Sequence, residues 1–229
     1  MAKLDKSQYT KEEWRKLKAE RKAQKSAIVT HEESLGTLTS FVLGNGISRK
    51  QIDPNYLKPY GKIYGCNALY REFDPDYLIA VDVKMILEIN RAGYQHKHEV
   101  WTNPNKAYAK FTGFKYFNPS KGWSSGPTAM HLASEHPNTD IYILGFDYQG
   151  IDDKVNNVYA DTLNYKKSHE RATYHGNWLK QTVITCQKFP KKRYIRVVGS
   201  NPFIPNDFAK LSNLEHITVE EFKKIFNIS

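Results

Sequence analysis

Short apolar runs in this chain repeatedly stop at a small, amide or carboxylate residue, and polar or helical spacing follows. The clearest case is Ser40-Phe41-Val42-Leu43-Gly44-Asn45-Gly46-Ile47-Ser48-Arg49. A run with β-branched and aromatic members meets Gly-Asn-Gly, and Ser48 opens a polar segment. The order reads as a buried strand, a tight turn and a helix start. Such a turn presents bare backbone N–H groups at the positive end of a helix dipole, where phosphate binds readily. Gly-Asn-Gly is also an ordinary turn sequence, so the pattern alone leaves both readings open.

The alternation continues. Residues 37–43, 62–65 and 77–81 read as strands, the third ending at Asp82. Residues 84–91 carry Met85, Ile86 and Ile89 at helical spacing and stop at Gly93. Residues 98–101 and 114–117 are short candidate strands, 124–135 a helix and 141–144 the next strand. Residues 178–189 form a helix with Trp178, Leu179, Val183, Ile184 and Cys186 on its apolar side, and 194–198 a last strand. Thr218 and Glu221 have capping-box spacing ahead of a final helix carrying Phe222, Ile225 and Phe226. Strands separated by helices predict an α/β fold, a Rossmann-like, mostly parallel sheet flanked by helices. In such a sheet ligands sit outside the carboxyl ends of the strands. The candidate site therefore gathers Gly44-Asn45-Gly46, Cys66-Asn67, Asp82, Gly145-Phe146-Asp147 and Gly199-Ser200-Asn201. Short, directed polar groups there suit hydrogen bonding to a ribose, a base or a sugar, although Asn and Asp also favour turns in their own right.

A length of 229 residues and a hydrophobic content of 40% support one domain with a sizeable core. No apolar run approaches the roughly 20 residues of a membrane span, and no apolar signal core begins the chain, so a cytoplasmic protein without a transmembrane segment is expected. Two cysteines, Cys66 and Cys186, argue against a disulfide framework and a cysteine-based zinc site. The formal charge of +10 implies an acidic partner: nucleotide, nucleic acid, phospholipid or another polyanionic surface. Half of it lies in residues 1–25, where nine Lys/Arg stand against four Asp/Glu. Thr10 and Glu13 predict a helix start there, with Trp14 and Leu17 its only large apolar residues beyond Tyr9. The expected organisation is a basic N-terminal helical extension over 1–34 and a nucleotide-sugar-binding domain over 35–229. The extension is a solvated helix or a tether to an anionic surface or nucleic acid.

Several motifs recur in a fixed order: Leu43-Gly44-Asn45-Gly46-Ile47-Ser48, Cys66-Asn67, Ser124-Ser125-Gly126, Ile141-Tyr142-Ile143-Leu144-Gly145-Phe146-Asp147-Tyr148, and Tyr174-His175-Gly176-Asn177. In order and spacing the chain from about Thr39 to Pro202 resembles the bacterial family 42 sialyltransferases and the related 6-hydroxymethylpterin diphosphokinase-like proteins. The resemblance implies a glycosyltransferase-like fold and transfer of a sugar, sialic-acid-like or other, from a CMP- or UDP-linked donor to a glycan or other hydroxyl acceptor, with no required cofactor. It implies that Gly44, Asn45, Gly46 and Ser48 lie along the phosphate or ribose, that Asn67 bonds the base or sugar, and that Ser125 and Gly126 receive the sugar or its carboxylate. Asp82 and Asp147 close the same nucleotide-binding set. Tyr159 would steady the leaving phosphate, and His175 would be the general base. The chain departs from the family pattern at Ile47 (Pro in the family), Asp82 (Asn), Gly122 (Arg, with Lys121 the nearby cation) and Gln149 (Tyr). Loss of the Arg and gain of Asp82 both disfavour an anionic sugar.

Other constellations are less specific. Asp74-Pro75-Asp76 has Asp-x-Asp spacing but precedes a strand, where a loop is the simpler reading. Asp152-Asp153 sits in a polar stretch. His96 and His98 point to the same side ahead of a strand, a metal pair or more simply exposed polar residues. His169 with His175 shares no helix face and lacks a third ligand, so no metal site is expected. Residues 159–177, rich in Tyr, Lys, His and Asn without an apolar period, read as a lid or binding loop. The competing classes are a nucleic-acid or virion-associated binding module using the basic N-terminus, a degenerate transferase fold kept as a scaffold, and a nucleotide-dependent diphosphokinase-like enzyme.

Overall fold

β-branched and aromatic residues alternate faces along the central strands, and that alternation sorts the core into two layers. The structure, a computed structural model, describes residues 38–228. The basic extension, its helix at Thr10 and the boundary near residue 35 lie outside the described residues. Strands run over Thr39–Leu43 (β1), Lys62–Cys66 (β2), Tyr77–Ile79 (β3), Val100–Thr102 (β4), Phe114–Tyr116 (β5), Asp140–Leu144 (β6), Arg193–Val198 (β7) and Leu214–Thr218 (β8). Among the described residues four α-helices accompany them: Val83–Ala92 (α1), Ser125–Glu135 (α2), Gly176–Lys188 (α3) and Val219–Ile225 (α4). All eight strands join one sheet in the order β5-β4-β3-β2-β1-β6-β7-β8, and every pairing is parallel.

On one face, Phe41 and Leu43 of β1 and Tyr142 and Leu144 of β6 pack with Met85, Ile86 and Ile89 of α1 and with Val219 and Phe222 of α4. On the other, Val42, Ile141 and Ile143 pack with Ala129, Met130 and Ala133 of α2 and Cys186 of α3. Helices thus cover both faces, as an all-parallel sheet requires. This is a Rossmann-like α/β architecture. The helix ends follow local rules: Gly93 closes α1 in the left-handed region, and Thr218 with Glu221 completes the capping box of α4. No described helix is long and apolar enough to cross a membrane.

Strand order runs one way from β1 to β5 and the other way from β6 to β8. The crevice beyond β1 and β6 is therefore the topological switch point, where open α/β sheets bind ligands. Two features differ from the sequence reading. The segment after β1 is a five-residue 3-10 helix, Ile47–Gln51, too short to focus a helix dipole. β8 was not expected; its residues are only half-buried at the sheet edge, so its apolar signal is diluted by Glu215 and His216.

Candidate functional site

A cavity of about 480 Å³ opens over the switch point. Gly44, Asn45 and Gly46 enter it from β1, Asn67 from β2, Asp82 from β3, Ser125 and Gly126 from α2, and Asp147 from β6. Those eight expected residues converge although they are spread over more than a hundred positions of sequence. The facing wall comes from the long excursion between β6 and α3, through Asn156, Asn157, Asn164, Tyr165 and Lys166. Turns organise that excursion: Lys154 bridges Ile151 and Arg171, and the Ala172 N–H donates to Asp153 O at 2.8 Å.

The glycines of the β1 turn serve the chain itself. A Cβ on Gly44 would lie 2.6 Å from Gly145 O, and one on Gly46 would lie 2.5 Å from Asp147 Oδ2 and 2.8 Å from Gly145 O. The two switch-point loops pass at a distance only glycine permits. Their N–H groups are also engaged: Gly44 N donates to Leu144 O, Gly46 N to Gly145 O, Ile47 N to Asn156 Oδ1 and Ser48 N to Asp147 Oδ2. The phosphate cradle expected here from the strand-turn-helix pattern is thus already filled by protein acceptors.

The first turn of α2 is different. Ser124, Ser125, Gly126 and Pro127 all line the cavity, so the positive end of an eleven-residue helix faces it. Ser124 makes no side-chain cap, and among the described residues no acceptor engages the N–H of Ser125 or Gly126. The Ser125 hydroxyl is occupied: it donates to Asn67 Oδ1 at 2.7 Å and accepts from Val81 N at 3.2 Å. This bond helps hold Asn67 at φ 51°, a left-handed conformation that Asn tolerates. Tyr148, at φ 54°, is a rarer outlier for its type and also lines the cavity.

Among the described residues Lys166 is the one cation in the lining, against the carboxylates of Asp82 and Asp147. Asp147 accepts from the Ser48 hydroxyl at 2.5 Å. Asp82 keeps contact with solvent, yet the protein crowding its carboxyl raises its pKa above the ordinary value. Asn45 Oδ1 is buried without a partner among the described residues, while Asn45 Nδ2 and Ala68 N both donate to Tyr165 Oη at 3.3 Å. The Cys66 thiol, also in the lining, is pushed up to about 12 by burial and is inert as a nucleophile at neutral pH.

Three expected residues fall elsewhere. Ser48 lies behind the wall, its hydroxyl and N–H both committed to Asp147. Tyr159 is buried beneath the loop, donating to Glu72 Oε1 at 2.6 Å and accepting from Arg49 Nη2 at 3.1 Å; the tyrosine of that stretch that lines the cavity is Tyr165. His175 stands at the N-cap of α3, between the rings of Tyr174 and Phe203 at 5.7 and 5.4 Å, outside the cavity lining. Away from the cavity, Asp76 binds Lys62 and the N–H of Ile63, and Asp152 and Asp153 form a turn. Among the described residues, no three His, Cys, Asp or Glu side chains are grouped to hold a metal ion. Asn156, Asn164, Tyr165 and Lys166 were not singled out from the sequence; the aperiodic stretch containing the last three was the only signal.

Compared with known proteins, the chain matches no family model and shows no significant similarity to a curated protein or a solved structure.

Proposed function

We propose that the switch-point cavity binds a nucleotide-linked sugar and that the protein transfers the sugar to a hydroxyl acceptor. The carrying observation is the convergence of polar residues from four strand ends and the α2 N-terminus on one cavity. Five asparagines, with Tyr165 and Trp178, offer directed hydrogen bonds and ring faces for a base, a ribose and a sugar. The phosphate belongs at the N–H groups of Ser125 and Gly126, with Lys166 on the opposite wall. One helix end and one cation suit a single phosphate better than a diphosphate, which favours a CMP-type donor. Two carboxylates in the lining disfavour an anionic sugar.

In the transfer, the acceptor oxygen forms a bond to the anomeric carbon, the bond from that carbon to the phosphate oxygen breaks, and the nucleotide leaves with the electron pair. The acceptor proton needs a base. Asp82 lies in the cavity with a pKa raised by burial, which makes its carboxylate a stronger base than a solvated one. It replaces His175 in that role. A thermal-shift screen with CMP, UDP, GDP and ATP compounds tests the reading. A nucleotide at about 100 times its dissociation constant stabilises by roughly 2.7 kcal/mol, and CMP compounds should give the largest shift. Absence of any shift overturns the proposal. With a turning donor in hand, Asp82→Asn should lower turnover at least about a hundredfold, and His175→Ala by much less. The reverse order would return the base to His175.

A further inference from the structure

Beside the cavity the surface carries aromatic rings that the core does not use. Tyr174 is 78% exposed and Phe203 38%, and the His175 ring lies between them, tilted against Tyr174 and edge-on to Phe203. Tyr174 folds over Gly176, where a Cβ would lie 2.3 Å from its hydroxyl, so glycine at 176 leaves room for the ring to lie flat along the start of α3.

The patch is continuous with the cavity. Thr173 and Trp178, which flank it in sequence, line the cavity wall. Gln149, also in the lining, donates from Nε2 to Asn201 O at 2.9 Å, two residues before Phe203. Arg196, buried to 2%, ties the two together from beneath: Nε donates to Phe146 O at 2.8 Å, Nη2 to Asp147 O at 3.1 Å and Nη1 to Phe203 O at 2.9 Å. A guanidinium with no carboxylate partner among the described residues, satisfied by carbonyls of both loops, fixes the backbone at Phe203 relative to the cavity floor.

We infer that Tyr174, His175 and Phe203 form the acceptor subsite, a stacking platform for the terminal pyranose of a glycan. This rests on the reading of the cavity as the donor site. One face of a pyranose is rich in C–H bonds and packs on aromatic faces, while its hydroxyls need polar neighbours. Asn177, Ser200 and Asn201 supply those neighbours around the rings, all three exposed. A protein partner would call instead for a larger unbroken apolar patch. Placed there, an acceptor hydroxyl lies at the mouth of the cavity that holds the donor.

The test is saturation-transfer NMR on the full chain with methyl glycosides of glucose, galactose and N-acetylglucosamine, each with CMP present. Wild type should saturate one face of at least one glycoside, and Tyr174→Ala/Phe203→Ser should bind it about tenfold more weakly while the CMP signal stays. Tyr174→Phe keeps the ring and should keep the glycoside signal, which separates lost stacking from a disturbed fold. A glycoside signal unchanged in the double variant overturns the platform, as does saturation of CMP alone in wild type, which leaves the donor reading standing. Glycoside saturation that is lost in the double variant without any CMP signal supports the platform and overturns the donor reading. Silence from both overturns both.

Discussion

Two turns of this protein look alike in sequence and do opposite work. Gly44-Asn45-Gly46 after β1 and Ser124-Ser125-Gly126 before α2 each combine small residues with an element start beside the same cavity. In the first, four of the five N–H groups from Gly44 to Ser48 are bonded to protein, and the glycines exist because Gly145 and Asp147 pass too close for a side chain. In the second, the helix N–H groups face the cavity uncommitted, and a Cβ at Gly126 would meet only the Phe146 ring at 3.3 Å. A glycine beside a pocket is thus evidence of close approach; whether ligand or backbone approaches is decided by where the N–H groups go.

The sharpest way to break this contrast is to fill both turns. Gly46→Val should cost about 3 kcal/mol or more, because its neighbours are backbone and a bonded carboxylate that cannot yield. Urea denaturation measures this, and a variant as stable as wild type would show that the loops can part. Ser125→Ala comes next, at roughly 1–2 kcal/mol, since it leaves Asn67 Oδ1 and Val81 N without their partner. Gly126→Ala should change stability by less than about 1 kcal/mol in either direction, the gain in helix propensity offsetting a slight shift of the Phe146 ring. A large loss there would mean the α2 turn is as closely packed as the β1 turn.

The smallest effect is a pH dependence. Burial raises the folded-state pKa of Asp82 above its unfolded value. The stability it contributes is therefore fully present below the unfolded pKa and is lost as pH rises through the folded pKa. Asp82→Asn has no such loss. Melting at about pH 3 and about pH 7, on either side of the ordinary carboxylate range, should show the variant gaining on wild type at the higher pH. An unchanged difference would place the Asp82 carboxyl in ordinary solvent.

Much of the fold was legible because it is written in local patterns. The apolar runs ending at Leu43, Asp82 and Leu144, the glycine closing α1 and the capping box of α4 each carry their own physical reason. β8 was hidden because an edge strand is half-exposed and its alternation is interrupted by polar residues. The strand-end residues after β1, β2, β3 and β6 followed from the rule for parallel sheets, whereas Gly199-Ser200-Asn201 after β7, expected with them, lie outside the cavity lining. The opposite wall did not, because Asn156 and Tyr165 are held by bonds from residues about a hundred positions away, Ile47 for the first and Asn45 with Ala68 for the second, which no local period encodes. Tyr159 was misplaced for the same reason: only the fold brings Arg49 and Glu72 beneath the loop to hold its hydroxyl.

The central claim is that phosphate meets the first turn of α2 and not the glycine turn of β1. Titrating CMP into ¹⁵N-labelled full-length protein and following backbone amide shifts tests it directly. The account predicts the largest downfield proton shifts at Ser125 and Gly126, with the amides of Gly46, Ile47 and Ser48 nearly still because their acceptors do not change. Large shifts at Gly46, Ile47 and Ser48 with Ser125 and Gly126 unmoved would contradict it.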